Sequence, residues 1–397
     1  MTADAPSRRA ESWAATMAGH VDVAEPIRLA HADSTAGFGA VELLDRRRRE
    51  EHEDATLTPG ATRSIGAGNR NRQEDPDPLR TCFERDRDRI LHGTTAFRRL
   101  AGKTQVFIFP EDHQRTRLTH ALEVAQVATA IATACRLNVA LVEAIALGHD
   151  CGHGPGGHAS EDAFSPFLTG GYDHAVWGAD VVLRPLNLCD ETLDGIRNHS
   201  WSRPAPGTPE GEVVSWADRI AYVCHDFEDA VHAGIVTPAM LPELVRDRCG
   251  ATRTAQLGTF IRAVATTTAA NGRVGMDEAT AEALAAFRSF NYSHIYMRPA
   301  SIKQGDAVIR MLRALVEHFA DRPNTLPFEN RPSENPSDRS QSHRHDLIAG
   351  SADATVEAVT YVAGMTDRFA CATAVSRLGW DRSELPAGVD LPGRAGR

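Results

Sequence analysis

RLTHALEVAQVATAIATACRLNVALVEAIALGHD, residues 117 to 150, sets out two apolar helical stretches in succession and closes them with a His-Asp doublet. Apolar side chains recur at helical spacing, and nothing in the segment alternates as a strand would. The longest apolar run, Val124 to Ala134, is broken by Gln126 and followed by Arg136, Asn138 and Glu143, so it is too short to cross a hydrocarbon core. The same texture extends outward from Asp86, rich in Ala, Leu, Arg and Glu. Helices are expected at Asp86–Leu100, Arg117–Arg136, Val139–Gly148, Asp173–Leu186, Glu191–His199, Glu212–Ala233, Pro238–Arg248, Thr254–Asn271, Asp277–Tyr292, Lys303–Ala320 and Thr355–Leu378. Strand-like material is confined to Gln105–Phe109, and no fixed-period repeat is visible. The fold class is therefore all-α, from about residue 70 to 385.

The chain has 397 residues, 42% of them apolar, which is enough for a substantial core. A net charge of −10 argues against a surface wholly given to nucleic acid or anionic lipid. Seven widely spaced cysteines without a CxxC pair fit reduced thiols better than a disulfide or zinc framework. The first twenty residues lack the apolar core of a secretion signal, so the expected location is the cytoplasm, with no membrane partner.

Residues 1–68 read as a mostly mobile leader with at most one helix near Ala36–His52. The run Arg46 to Arg49 is flanked by Asp45, Glu50, Glu51, Glu53 and Asp54, and a solvated helix face explains it better than a nucleic-acid arm. A main domain at 69–325 would be followed by a Pro/Ser/Asn-rich flexible loop at 326–345, a helical segment at 346–385 packing on the same domain, and a tail at 386–397.

Four residues carry the chemistry: His120, the doublet His149-Asp150, and Asp218, all placed on or at the end of expected helices. Two imidazoles and two carboxylates around one divalent ion leave positions for water or a phosphate, a mixed donor set that suits Mn, Fe, Co, Ni or Mg better than closed tetrahedral zinc. Taken singly, each would more often be an ordinary core residue. The doublet runs into HDCGHGPGGHASE, residues 149–161, where His153, His158 and Glu161 add a density of titratable groups that a structural turn does not need. A zinc pair of His149 with His153 is disfavoured because Gly152, Gly154 and Pro155 break the helix. His158 and Glu161, three apart at the start of the next helix, form a candidate general-acid pair with Glu161 orienting His158. Between Arg89 and Arg117 the local charge is +4, and Arg117, one turn before His120, would place a guanidinium beside the metal. Only two lysines occur, Lys103 and Lys303, and a compact ammonium at either suits phosphate. Asp218, Tyr222, Asp226 and Asp229 follow at helical spacing in DRIAYVCHDFED.

These residues resemble the HD-domain metal-dependent phosphohydrolases, and within them the bacterial deoxyguanosinetriphosphate triphosphohydrolase-like proteins. The matching segments are RDRDRILHGTTAFRRLAGKTQVF (85–107), RLTHALEVAQVATAIA (117–132), GHDCGHGPGGHASE (148–161), YDHAVWGADVV (172–182), GIRNHS (195–200), WADRIAYVCHDFEDA (216–230), NYSHIYMRP (291–299) and YVAGMTDRFA (361–370). The resemblance implies an HD-domain helical bundle with additional C-terminal helices. It implies hydrolysis of a deoxynucleoside triphosphate, dGTP or the dNTPs generally, to deoxynucleoside and triphosphate by water attack at the α-phosphorus. By the same resemblance His120, His149, Asp150 and Asp218 are metal ligands, and His158 with Glu161 is the catalytic pair. His174 matches a histidine that approaches the same phosphate, while Gln105, Arg117, Tyr222 and Asp226 match sugar or phosphate contacts, with Lys103 added as a phosphate cation. Members commonly form homo-oligomers, often hexamers, and an allosteric dNTP or single-stranded DNA is carried as an effector. The loop departs from the family pattern: Gly156 stands where an aromatic is usual, and Ser160 where glycine is.

Two alternatives stay open at this level. Another HD enzyme, a 5′-nucleotidase or phosphodiesterase, would use the same ligands on a different phosphoester. A non-catalytic dNTP- or nucleic-acid-binding regulator would have no use for a proton donor at His158 and Glu161.

Overall fold

Residues 7–21, 27–106, 114–327 and 347–388 are described by the structure, a computed structural model of the chain. They divide into two units at Leu44/Asp45. The first carries helix α1 (Arg8–Thr16), capped by Ser7, and an antiparallel pair, β1 (His20–Val21) with β2 (Arg28–Leu29), in which His20 faces Leu29.

The second unit is all-α. It opens with α2 (Arg46–Thr56), whose N-cap Asp45 accepts from the Arg48 amide. The arginine run lies on this helix and is charge-paired, Arg46 to Glu50 at 2.7 Å and Arg49 to Glu84 at 2.5 Å. The leader boundary expected at residue 68 therefore moves back to Asp45. Thr62 shows why: its amide and hydroxyl donate to the two carboxylate oxygens of fully buried Glu210 at 3.0 and 2.7 Å, and the Asn138 amide donates to the same group at 3.0 Å. A buried carboxylate stripped of such donors costs about 1–3 kcal/mol or more, so the segment before residue 68 completes the unit.

Next come α3 (Cys82–Asp88), α4 (Thr95–Arg99), α5 (Arg117–Cys135), α6 (Val139–Gly148), α7 (Ala159–Phe164), α8 (His174–Trp177), α9 (Asp190–Arg197) and α10 (Pro209–His232). They are followed by α11 (Glu243–Cys249), α12 (Arg253–Asn271), α13 (Glu278–Asn291), α14 (Pro299–Asp321), α15 (Ala352–Ala363) and α16 (Asp367–Thr373). None of the described helices is long and apolar enough to cross a membrane. The expected loop at 326–345 and tail at 386–397 fall almost wholly outside the described residues, as do 107–109 of the expected strand. Beside them Thr104 pairs with Thr116 in an isolated antiparallel bridge.

Three expected helices are interrupted. The stretch from Asp86 opens into a wide turn at Arg89–Gly93 and restarts where Thr94 caps the Ala96 amide. The one from Asp173 widens after Trp177, and the last stops at Ala363 and restarts where Thr366 caps the Phe369 amide. Helical spacing alone cannot register such breaks, because a capping threonine reads like any other polar residue until its hydroxyl meets the backbone.

α5 positions the site. A reciprocal Thr116/Thr119 cap starts it, and Arg136 ends it in a left-handed conformation (φ 52°), from which Asn138 caps α6. Its buried stripe, Arg117, His120/Ala121, Val124, Val127/Ala128, Ile131 and Cys135, packs on α6, α10 and α12. Each fully buried aliphatic chain here contributes roughly 1.5–3 kcal/mol, and that stripe carries His120 inward with it. A first apolar core surrounds α5, α6 and α10, and a second joins α7 to α14–α16 through Phe164, Met311, Leu315, Phe319, Val359 and Met365. The chain from 149 to 163 leaves the first core at Cys151 and enters the second at Ala163.

Candidate active site

α6 ends at Gly148, and His149 and Asp150 follow directly in a tight turn. Glycine is required just beyond: a Cβ at Gly152 would stand 2.0 Å from the His174 carbonyl oxygen and 2.5 Å from the Gly178 amide. That close approach brings α8, and with it His174, against the doublet.

The four expected metal ligands converge. His120 Nε2 lies 3.0 Å from Asp218 Oδ1, and His149 Nε2 lies 3.4 Å from Asp150 Oδ1 and 3.7 Å from Asp218 Oδ1. Nδ1 of His149 is 2.7 Å from the Ala146 carbonyl oxygen and can only donate to it, which leaves Nε2 with a lone pair. That nitrogen is buried and has no hydrogen-bond partner among the described residues, as a ligand awaiting a cation would be. Burial opposes ionisation of Asp150 and Asp218, but charge partners prevail and hold both carboxyls below their usual range: Arg117 at Asp150, His120 and His149 at Asp218. Burial likewise keeps His149 low and neutral. Against burial, the hydrogen bond and charge of Asp218 raise His120, so that imidazole would give up its proton to a bound ion. Ionised carboxylates and a neutral His149 with a free lone pair are donor states a divalent ion needs, and two overlapping triads, His120/His149/Asp150 and His149/His199/Asp218, fit one.

His120, Asp150 and Asp218 line a cavity of about 500 Å³, and His149 lies behind them, outside its wall. Its wall also includes His158, His174, Gln105, Gly156, Tyr222, Asp226, Tyr292 and Tyr296. Gln105 is in the wall with its Oε1 buried and unpartnered among the described residues. Tyr222 accepts from Arg288 Nε at 2.9 Å, and Asp226 accepts from the Tyr296 hydroxyl at 2.5 Å. Burial raises Asp226 to about 7 against that hydrogen bond. His158 is lowered to about 4, first by burial and then by the Arg117 guanidinium.

Three expectations need correction. Glu161 does not orient His158: its Oε1 pairs with His174 Nδ1, because the α7 turn aims the carboxylate at the start of α8. Burial and neighbouring His199 keep His174 low against the charge of Asp150. Arg117 is not among them: though buried, it is in the cavity wall and donates to Asp150 Oδ2 at 2.8 Å and to the Gln105 carbonyl at 3.2 Å. Lys103 is not in the cavity wall; its buried ammonium donates to the carbonyls of His153 and Ala363. Lys303 is exposed and outside the wall as well.

The structure supplies cations and an imidazole, His199, that the sequence reading did not single out as site residues. Arg219 lies in the wall with its guanidinium 3.6 Å from the centre of the Trp201 ring, its Nε buried and without a partner among the described residues. Trp201 is itself fixed by its indole N–H to the Ser215 carbonyl at 3.0 Å. His199 Nε2 is 3.3 Å from His174 Nε2, and His153 stacks on His174 with ring centres 3.7 Å apart. His199 sits in GIRNHS and the tyrosines in NYSHIYMRP, segments already marked by resemblance; only the tertiary fold gives them a direction.

Comparison with known proteins agrees with this geometry. The HD domain model matches residues 117–223 and the Phosphohydrolase-associated domain model residues 274–375. A deoxyguanosinetriphosphate triphosphohydrolase-like protein of Caldanaerobacter subterraneus subsp. tengcongensis is 39% identical over 332 residues, covering 82% of this chain and 93% of its own. Similarly named proteins of Clostridium perfringens (38% over 340 residues, 82% and 94% coverage) and Geobacter metallireducens (34% over 382 residues, 81% and 94%) are also similar. A solved structure of a hypothetical protein from Aquifex aeolicus is 20% identical, over 58% of this chain and 60% of its own, with a TM-score of 0.41, too slight a likeness to carry an argument.

Proposed function

The chain belongs to the deoxyguanosinetriphosphate triphosphohydrolase-like family of HD-domain phosphohydrolases, and from that premise we propose that it hydrolyses deoxynucleoside triphosphates to deoxynucleoside and intact triphosphate. The observation that supports this reading is the shared cavity: His120, Asp150 and Asp218, each grouped with His149, open onto the same space as His158 and His174.

His120, His149, Asp150 and Asp218 would hold a divalent ion, with Mn, Mg, Fe, Co and Ni all compatible with the donors. Such an ion supplies Lewis acidity toward a phosphoryl oxygen and toward water. The protein does the rest. Arg117 holds Asp150 ionised and oriented, while Arg219 and Arg288 line the cavity and present positive charge to the phosphate chain. Water is partly excluded there, which strengthens each charge contact. The water oxygen bonds to the α-phosphorus as the bond from that phosphorus to the 5′ oxygen breaks, and His158 donates its proton to the departing oxygen. His158 is neutral in the free protein, and an arriving polyanion favours its protonated form. Glu161 orients His174 against the reacting phosphate. Gln105, Tyr222 and Asp226 contact the sugar and its neighbouring phosphate, with Asp226 set by Tyr296.

Hydrolysis in ¹⁸O-labelled water tests the bond that breaks. Label in the triphosphate supports attack at the α-phosphorus; label in the 5′-hydroxyl, in orthophosphate or in pyrophosphate contradicts it. Homo-oligomerisation, and control by a second dNTP or by single-stranded DNA, belong to the same proposal through the family; light scattering with and without dNTP tests them.

A further inference from the structure

Two blocks that set this family apart, FRRLAGKTQVF (97–107) and AGMTDRFA (363–370), contribute Lys103 and Asp367, and neither side chain lines the cavity. Both are buried, at 3% and 8% exposure. They meet the catalytic loop from the same side. The Lys103 ammonium donates to the His153 carbonyl and, at 2.9 Å, to the Ala363 carbonyl at the end of α15. One Asp367 oxygen accepts from the Gly156 amide at 2.8 Å, and the other accepts from the Thr104 amide at 2.8 Å. Lys103 thus ties residue 153 to α15, and Asp367, the first residue of α16, ties residues 156 and 104 together.

The packing around these bonds leaves no slack. Gly156 has φ +73°, and a Cβ there would stand 2.5 Å from Val308 Cγ1 on α14. A Cβ on Gly102 would stand 2.7 Å from Thr366 Cγ2. The aromatic usual at position 156 has no room here, because Val308 occupies its place. Ser160 closes the loop from inside, accepting from the Gly154 amide at 3.1 Å and donating to the Gly157 carbonyl at 2.7 Å. His158 is two residues beyond the clamped Gly156 and next to Gly157, whose carbonyl Ser160 holds.

We propose that Lys103 and Asp367 are positioning residues: together they hold the His153–His158 segment against the C-terminal helices and so set the working position of His158. This rests on the reading of His158 as proton donor. A misplacement of about 1 Å is enough to cost a catalytic group roughly 10²-fold in rate.

The test uses the full chain and two variants, Asp367→Asn and Lys103→Met. Asparagine keeps the volume but offers an amide N–H₂ where one of two backbone donors needs an acceptor. Expected for Asp367→Asn is a 10- to 100-fold lower kcat with KM within about three-fold and Mn²⁺ binding unchanged, together with faster amide exchange in peptides spanning 152–161. Because both residues act on one loop, the double variant should be within about three-fold of the worse single variant. Native-state exchange of the unmodified protein gives a reading that needs no variant: residues 152–158 and 363–370 should open together under mild denaturant. Unchanged kcat and exchange in Asp367→Asn, or independent opening of the two segments, would overturn the proposal. Failure of the unmodified protein to release triphosphate would instead strike the reaction, and the exchange measurement would still decide the clamp.

Discussion

His149 Nε2 lies 3.4 Å from Asp150 Oδ1, which also has His153 Nε2 at 3.3 Å, while the same carboxylate's other oxygen is held at 2.8 Å by Arg117 and His149 Nδ1 is committed to the Ala146 carbonyl. Asp150→Ala should therefore abolish metal-dependent turnover and lower the Mn²⁺ content measured after dialysis. Turnover at the unmodified rate in this variant contradicts the site.

The pairing of Glu161 with His174 makes a second prediction. Glu161→Gln keeps the shape but removes the charge at His174 Nδ1, and kcat should fall by roughly 10²-fold, in the range of a lost acid–base partner. Steady-state kinetics checks it. If His174→Ala in the Glu161→Gln background costs as much again as it does alone, the two do not act as a unit.

Burial pushes Lys103 down to about 8, with Asp367 as the leading opposing influence. Its folded value is thus below its unfolded one, near 10.5, and the unfolded state holds more protons between these limits. Stability contributed at this position should rise with pH from about 8 to about 10.5, the reverse of a surface lysine gaining a partner. Urea denaturation of the unmodified protein and Lys103→Met across this window should give a stability difference that shifts in favour of the lysine form as pH rises; a difference independent of pH counts against it.

The carboxylate of Glu210 accepts from two different chain segments, Thr62 and Asn138. Glu210→Ala leaves one buried and two half-buried donors without an acceptor and should cost about 2–4 kcal/mol in chemical denaturation. A loss under about 0.5 kcal/mol would mean that residues 58–64 do not hold the main unit together in this way.

Much of this was legible in the sequence, and the reasons differ by residue. His120 could be found because it rides the buried stripe of the long helix α5, where helical spacing fixes direction, and Asp218 because it sits half-buried on α10 between the buried positions Ala217 and Ile220. The doublet could be found because glycines mark the end of its helix. Glu161 was assigned to the wrong histidine because its partner lies thirteen residues on, across a turn whose geometry depends on Gly152 packing against α8. Lys103 misled for a related reason: rarity of lysine shows that an ammonium is wanted, but not whether phosphate or two backbone carbonyls want it. Arg219 and Trp201 went unremarked because a cation stacked on an indole eighteen residues away leaves no mark in local periodicity. The segment from Asp45 to residue 68 looked like leader because its contacts are single polar side chains, Thr62 foremost, and not an apolar stripe.

The most direct test of the central claim is product analysis by ³¹P NMR and chromatography, with each dNTP alone and all four together, in Mn²⁺ or Mg²⁺ and with an EDTA control. Deoxynucleoside with intact triphosphate, lost on adding EDTA, is the predicted result. Monophosphate with pyrophosphate, or diphosphate with orthophosphate, would place the attack at another phosphorus and contradict the account.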